Sequence, residues 1–292
     1  MIYFAKYYSV LIGEEVRLMA KYKRSNRIAE LTRIFLENPR IGFQLSYFAD
    51  QFQVAKSSVS EDIAILEEYF TEQGLGKIIT SAGASGGVRY IPRMEFAAAQ
   101  GWMLQAIEML AKPDRILPGG FLYMSDLLGN PSFIRGVGKI FAEAFADTSA
   151  DLILTMETKG IPIALATSLY LQLPVVVVRR DSKITEGTTV SVNYLSGSSG
   201  RIQTMSLARR SIGQDRKAII LDDFMKAGGT TKGMVNLLRE FQSECVGIGI
   251  LMEAAEPSDK LVSGYTSLAK LTDVDEIGRT VSMELGNFFE KI

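Results

Sequence analysis

The chain has 292 residues, a net charge of −1, 47% hydrophobic and 22% charged residues, one cysteine and no histidine. Its length holds two modest domains with cores of their own, and the lack of histidine excludes Ser-His-Asp and Cys-His catalysis and His-bearing metal sites. Cys245 alone can form neither an internal disulfide nor a cysteine zinc cage, and no apolar run approaches the roughly 18 residues that span a membrane, so a cytoplasmic protein without a membrane partner is expected.

Residues 1–20 carry an apolar start (Ile2, Tyr3, Phe4) but no basic n-region and no clean cleavage site, which argues against a signal peptide. Met19 stands directly before Ala20-Lys21-Tyr22-Lys23-Arg24, which reads as a natural N-terminus. Residues 1–20 are therefore expected to be a leader or a misassigned start. N-terminal mass spectrometry of the natively expressed protein decides between Met1 and Met19.

Next in the chain comes a first domain, expected over 21–92. Ile28, Leu31, Ile34 and Phe35 recur at helical spacing, Asn38-Pro39 breaks the run, and Leu45, Phe48 and Phe52 give a second apolar face. A third helix follows Gln53–Lys56; Ser58-x-x-Glu61 reads as its capping box and Ile63, Leu66 and Phe70 as its buried face. Lys77–Thr80 and Val88–Ile91 are short strands joined by the small-residue stretch Ser81–Gly87. Three helices and a hairpin resemble a winged helix-turn-helix. Such a module presents the N-terminal end of its third helix to DNA, here Lys56, Ser57, Ser58 and Ser60. Arg89 on the wing would follow the backbone or the minor groove. Between Lys21 and Arg40 six basic residues stand against two acidic ones, and Lys23, Arg24 and Arg27 are the phosphate candidates. The bland reading, a solvated face with serine caps, loses ground to the basic entry into the module.

A second domain is expected over 93–292, opening with an Ala-rich helix, Glu95 to Ala111. Strand and helix then alternate: strand 121–124, helix 131–146, strand 152–155, helix 162–171, strand 175–178, strand 218–221, helix 231–241 and strand 246–251. This order predicts a doubly wound, mainly parallel α/β sheet with its ligand at the C-terminal strand edges. The segment Arg179–Lys217 carries eight basic against three acidic residues, and its length marks it as functional rather than a passive connection. Alternation in 190–194 and 201–205 predicts a two-stranded ribbon within it.

The most telling stretch is Asp222-Asp223-Phe224-Met225-Lys226-Ala227-Gly228-Gly229-Thr230 behind the strand 218–221. Two adjacent carboxylates at a strand end can accept hydrogen bonds from a vicinal diol. Bare amides from Lys226 to Thr230, at the positive end of the next helix, can close around a phosphate. A diol beside a phosphate describes a ribose 5-phosphate. The string resembles the loop that binds phosphoribosyl pyrophosphate (PRPP) in type I phosphoribosyltransferases, closest to the adenine and xanthine members, and the resemblance covers 92–275. It implies that Asp222 and Asp223 hold the ribose hydroxyls and that Lys226, Ala227, Gly228, Gly229 and Thr230 cradle the 5′-phosphate. Thr158-Lys159-Gly160 resembles the pyrophosphate loop, and Arg180 and Lys183 lie at the basic start of the flexible loop.

With a winged helix in front of that domain, and with strings such as Ala55-Lys56-Ser57-Ser58-Val59-Ser60-Glu61-Asp62, the chain resembles the purine operon repressor family of Gram-positive bacteria. The resemblance implies a homodimeric regulator of purine synthesis and salvage genes that binds operator half-sites in double-stranded DNA. It also implies PRPP as effector, with Mg²⁺ and no tightly bound cofactor or protein-held metal. An active purine phosphoribosyltransferase with an accessory DNA-binding domain remains the alternative. Ala227 replaces the usual threonine before the glycine pair, and Lys226 stands where hypoxanthine-type enzymes carry an acid. No catalytic residue is assigned.

Overall fold

The computed structural model describes residues 22–81, 87–181, 187–196 and 200–290. Residues 1–20, the tip of the wing and Lys183 lie outside them.

The first domain packs α1 (Arg24–Glu37), α2 (Leu45–Phe52) and α3 (Lys56–Glu72) against an antiparallel hairpin, β1 (Gly76–Ser81) and β2 (Gly87–Pro92). Its core is aromatic and aliphatic: Phe35, Phe48, Phe52 and Phe70 are fully buried with Leu31, Ile34 and Val59. Helix α3 begins earlier than expected. Ala55 is its N-cap residue with extended backbone and no side-chain cap, and the amides of Ser58 and Val59 bond to the Ala55 carbonyl. Ser58 is thus already inside the first turn, so it is not the cap that the Ser58-x-x-Glu61 pattern suggested.

In the second domain, α4 (Phe96–Leu110) is followed by a small hairpin of β3 (Ile116–Leu117) and β4 (Phe121–Leu122), then α5 (Ser125–Leu128) and α6 (Pro131–Ala144). The strand expected over 121–124 is this two-residue arm outside the main sheet, because Met124 already starts α5 as its N-cap residue. The main sheet contains β5 (Leu152–Met156), β6 (Val175–Val178), β9 (Lys217–Met225), β10 (Glu244–Ala254), β11 (Thr266–Asp275) and β12 (Thr280–Leu285). Its order is β12-β11-β10-β9-β5-β6, parallel except for β12. Helix α7 (Gly160–Leu171) joins β5 to β6, and α8 (Gly229–Glu240) joins β9 to β10. The ribbon of β7 (Thr189–Leu195) and β8 (Ile202–Ala208) is present as expected, and β11 and β12 extend the sheet beyond the expected strands.

Alternation along the strands divides two cores. Ile219 and Leu221 of β9 join the cluster with α4, α6 and α7, while Ala218 and Ile220 join the one with α8 and the ribbon. Strands β5 and β9 are spatial neighbours, but their onward connections run to opposite sides of the sheet. Their adjacent C-terminal ends form the switch-point crevice where open α/β sheets hold ligands.

Candidate functional site

Register explains how the crevice opens. Strand β5 pairs with β9 only as far as Thr155 opposite Leu221, whereas β9 continues beside β10 through Asp222, Phe224 and Met225. The acids lie within the strand, not after it, on the side that β5 has vacated. Asp222 is buried, with 6% of its surface exposed, and its Oδ1 accepts the Asp223 amide at 3.0 Å. Burial, reinforced by repulsion from Asp223, raises the Asp222 carboxyl well above the usual carboxylate range. Burial also raises Asp223, against the attraction of Lys159. Adjacent, desolvated acids whose carboxyls burial raises suit hydroxyl donors.

Past Lys226 the chain turns through Gly228, whose φ of 84° favours glycine, into the N-terminus of α8. The Ala227 carbonyl is held from behind by the Leu261 amide at 2.9 Å. This fixes the turn so that the first amides of α8 stand at the crevice. Across it, the Glu157–Thr158 peptide is cis and Lys159 precedes α7 as its N-cap residue. Helix α7 therefore starts at Gly160, two residues before Pro162. A Cβ on Gly160 would lie 2.2 Å from Thr155 Oγ1 and 3.2 Å from Asp222 Oδ1, so only glycine fits there. Gly160→Ala is expected to cost about 1–3 kcal/mol of stability and to displace the loop; calorimetry and ligand titration of that variant check it.

These residues enclose a cavity of about 530 Å³. Thr158, Lys159, Arg180, Asp222, Asp223, Lys226, Gly228, Gly229 and Thr230 all line it, so the structure brings together nearly all the expected ligand set. Gly119, Gly120, Phe121 and Leu122 of the β3–β4 hairpin roof it, a contribution that sequence reasoning missed. Glu157 was missed too. Its carboxylate accepts the Arg180 amide at 2.8 Å and pairs with Arg179 at 3.4 Å, fixing the start of the basic segment. Tyr194 of the ribbon, buried and donating to Gln203 at 2.8 Å, sets its hydroxyl beside the Thr230 side chain. Only the alternation of β7 hinted that it points inward.

In the first domain Lys56, Ser57 and Ser60 are exposed at the start of α3, Ser58 is half-buried, and Arg89 is exposed on β2. Lys23 is exposed just before α1. Arg24 and Arg27 are otherwise engaged. The Asp62 side chain, 1% exposed, accepts Arg27 Nε at 2.7 Å and Arg24 Nε at 3.1 Å. Arg27 is itself 12% exposed and Arg24 53%.

Residues 23–92 match the family described as bacterial purine repressor, N-terminal, and residues 124–285 match the phosphoribosyl transferase domain. The chain is 48% identical over 268 residues to the purine biosynthesis transcriptional repressor PurR of Bacillus subtilis (strain 168), covering 92% of this chain and 94% of that protein. It belongs to the bacterial purine operon repressor family. The purine biosynthesis transcriptional activator PurR of Lactococcus lactis subsp. lactis (strain IL1403) is 38% identical over 267 residues, covering 91% of this chain and 98% of that protein. The structure of adenine phosphoribosyltransferase from Thermoanaerobacter pseudethanolicus ATCC 33223 aligns with a TM-score of 0.50 at 21% identity, covering 57% of this chain and 99% of that one. That likeness concerns the fold, and it supports the doubly wound, mainly parallel sheet expected from the sequence. Among the described residues no helix is long and apolar enough to cross a membrane.

Proposed function

We propose that this protein is a cytoplasmic, DNA-binding repressor of purine synthesis and salvage genes that senses PRPP in a pocket without transferase activity. The observation that carries the sensor reading is the adjacent pair of buried Asp222 and half-buried Asp223, facing the amide cradle across a cavity of about 530 Å³. The acids would accept the ribose 2′- and 3′-hydroxyls, and the amides of 226–230 with the Thr230 hydroxyl would take the 5′-phosphate. Thr158–Gly160 would take the pyrophosphate, with Arg180 over it. Among the described residues no three carboxylate, histidine or cysteine side chains converge on a metal-sized site. A Mg²⁺ would therefore arrive with the pyrophosphate and keep water among its ligands. It would neutralise phosphate charge, while the chain's own residues orient the sugar.

The decisive experiment incubates the protein with PRPP, Mg²⁺ and each purine base. Calorimetric binding of PRPP without pyrophosphate release supports the reading; release at enzymatic rates supports the transferase alternative. For DNA, Lys56, Ser57, Ser58 and Ser60 would approach the groove and phosphates, with Lys23 and Arg89 beside them. A filled pocket places strong negative charge beneath the basic segment, so PRPP is expected to weaken DNA binding and to act as inducer. Linkage requires DNA to weaken PRPP binding by the same factor. Duplex titrations at fixed salt, with and without PRPP–Mg²⁺, test this, and unchanged affinity overturns it.

A homodimer through the second domain belongs to the same reading. Helix α7 has no charged residue and is apolar on every face, a pattern that suits a helix covered on both sides. Yet Leu165 and Leu169, one turn apart, are 52% and 67% exposed. A second copy of the chain covering them would leave both winged modules free for two half-sites. Leu165→Glu with Leu169→Glu is expected to yield a folded monomer by light scattering; an unchanged dimer places the interface elsewhere.

A further inference from the structure

Two arginines at the edge of the winged-helix domain converge on the C-terminal end of α6. Arg40 stands in the turn between α1 and α2 with φ of 64°, and its amide donates to the Tyr90 carbonyl of β2 at 2.7 Å. From that base its guanidinium donates to the Ala146 carbonyl, just past α6, at 3.0 Å. A cation there complements the negative end of the helix dipole. Arg93, one residue beyond β2, bonds Glu143 at 3.2 Å and Asp147 at 2.9 Å. The Met94 amide donates to Glu143 as well, at 2.9 Å. The turn between the first two helices and the second wing strand are thus tied to the end of a single helix.

That helix leads to the pocket. Gly138 of α6 approaches α7 so closely that a Cβ would lie 2.6 Å from the backbone carbon of Ala166. At such contact a displacement of one helix would be passed to the other. Helix α7 begins at Gly160, immediately after Thr158 and Lys159 of the pocket wall. At the other end of the path, Arg40 is half-buried, and its Nε is buried without a hydrogen-bond partner among the described residues. An incompletely satisfied, partly desolvated guanidinium gains little by holding one geometry, which suits a joint with a second arrangement.

We propose that the Arg40–Arg93 clamp on the end of α6 is the joint through which a filled pocket changes the attitude of the winged-helix domain. It rests on the reading of the pocket as a sensor. The coupling would run from the loop 158–160 through α7 and α6 to both arms of the clamp.

The test measures DNA affinity with and without saturating PRPP–Mg²⁺ for the full chain and for Arg40→Ala with Arg93→Ala. The wild-type ratio is expected to be at least about tenfold, within the ordinary range of allosteric coupling, and the clamp variant is expected to fall below about threefold while still binding PRPP. Spin labels on exposed Glu67→Cys and Glu240→Cys, in a Cys245→Ser background diluted with unlabelled chain, give a second readout. Their distance distribution should shift with PRPP in the wild type and broaden in the clamp variant regardless of ligand. If the double variant does not fold, Glu143→Gln loosens the Arg93 arm alone and should roughly halve the logarithm of the ratio. A folded clamp variant with the wild-type ratio overturns the proposal. PRPP bound to the wild type with a ratio of one fails the sensor reading and the clamp coupling together, whereas no PRPP binding fails the pocket assignment.

Discussion

Asp222→Asn with Asp223→Asn is expected to weaken PRPP binding by at least about 100-fold, since hydrogen bonds to charged groups contribute about 1.5–3 kcal/mol each. The same variant should be more stable than the wild type. Burial and mutual repulsion raise the Asp222 carboxyl, and burial raises Asp223, above their unfolded values. Between the unfolded and folded values the native state holds more protons than the unfolded chain, so stability falls as pH rises through that window. The deficit persists at neutral pH. Asparagine removes it and keeps the Oδ1 that accepts the Asp223 amide. We expect Tm at pH 7 to rise by about 2–5 °C, and the gain to shrink as pH falls toward the unfolded aspartate value of about 3.9. Calorimetry at several pH values, beside titrations with PRPP and with DNA, separates the effects. DNA binding should survive. A variant that binds PRPP normally, or that loses stability at pH 7, refutes the assigned role of the acids.

That pair was legible in the sequence because its chemistry is local. Strand, acids, glycine turn and helix follow one another over 218–230, so adjacency along the chain is adjacency in space. The alternation of strand and helix that announces the sheet is local too. What escaped depends on distant contacts or on very short elements. The roof over the pocket is built from strands of two residues, too short for any period, and Phe121–Met124 read as a strand of the main sheet for that reason. Ser58 and Glu61 have the spacing of a cap, but it is Ala55 that takes the extended backbone from which α3 starts. Glu157 and Tyr194 join the site only through folding, across 23 residues to Arg180 in the first case.

Arg27 and Lys56 show the same limit in the DNA-binding domain, and their variants should lose DNA binding for different reasons. Both are basic residues in a basic stretch, and both read as phosphate contacts. Lys56 is exposed in the first turn of α3, where a side chain can follow the backbone of a duplex. Lys56→Ala is expected to leave Tm unchanged, to weaken DNA binding about fivefold near physiological salt, and to lower the slope of log affinity against log salt by about one. Arg27 faces inward to Asp62, whose side chain is 1% exposed. Removing one partner of a buried ion pair costs about 3–5 kcal/mol, because the remaining charge stays desolvated. Arg24 still reaches Asp62 at 3.1 Å, which places Arg27→Ala toward the lower end of that range. Arg27→Ala should therefore lower the melting temperature of the winged-helix domain and lose DNA affinity through unfolding, with the salt slope of the folded fraction unchanged. Adding Asp62→Asn should recover part of both losses, since it removes the stranded charge. A stable Arg27→Ala protein whose salt slope drops by one would instead make Arg27 a phosphate ligand, and Asp62 only its resting partner in the absence of DNA.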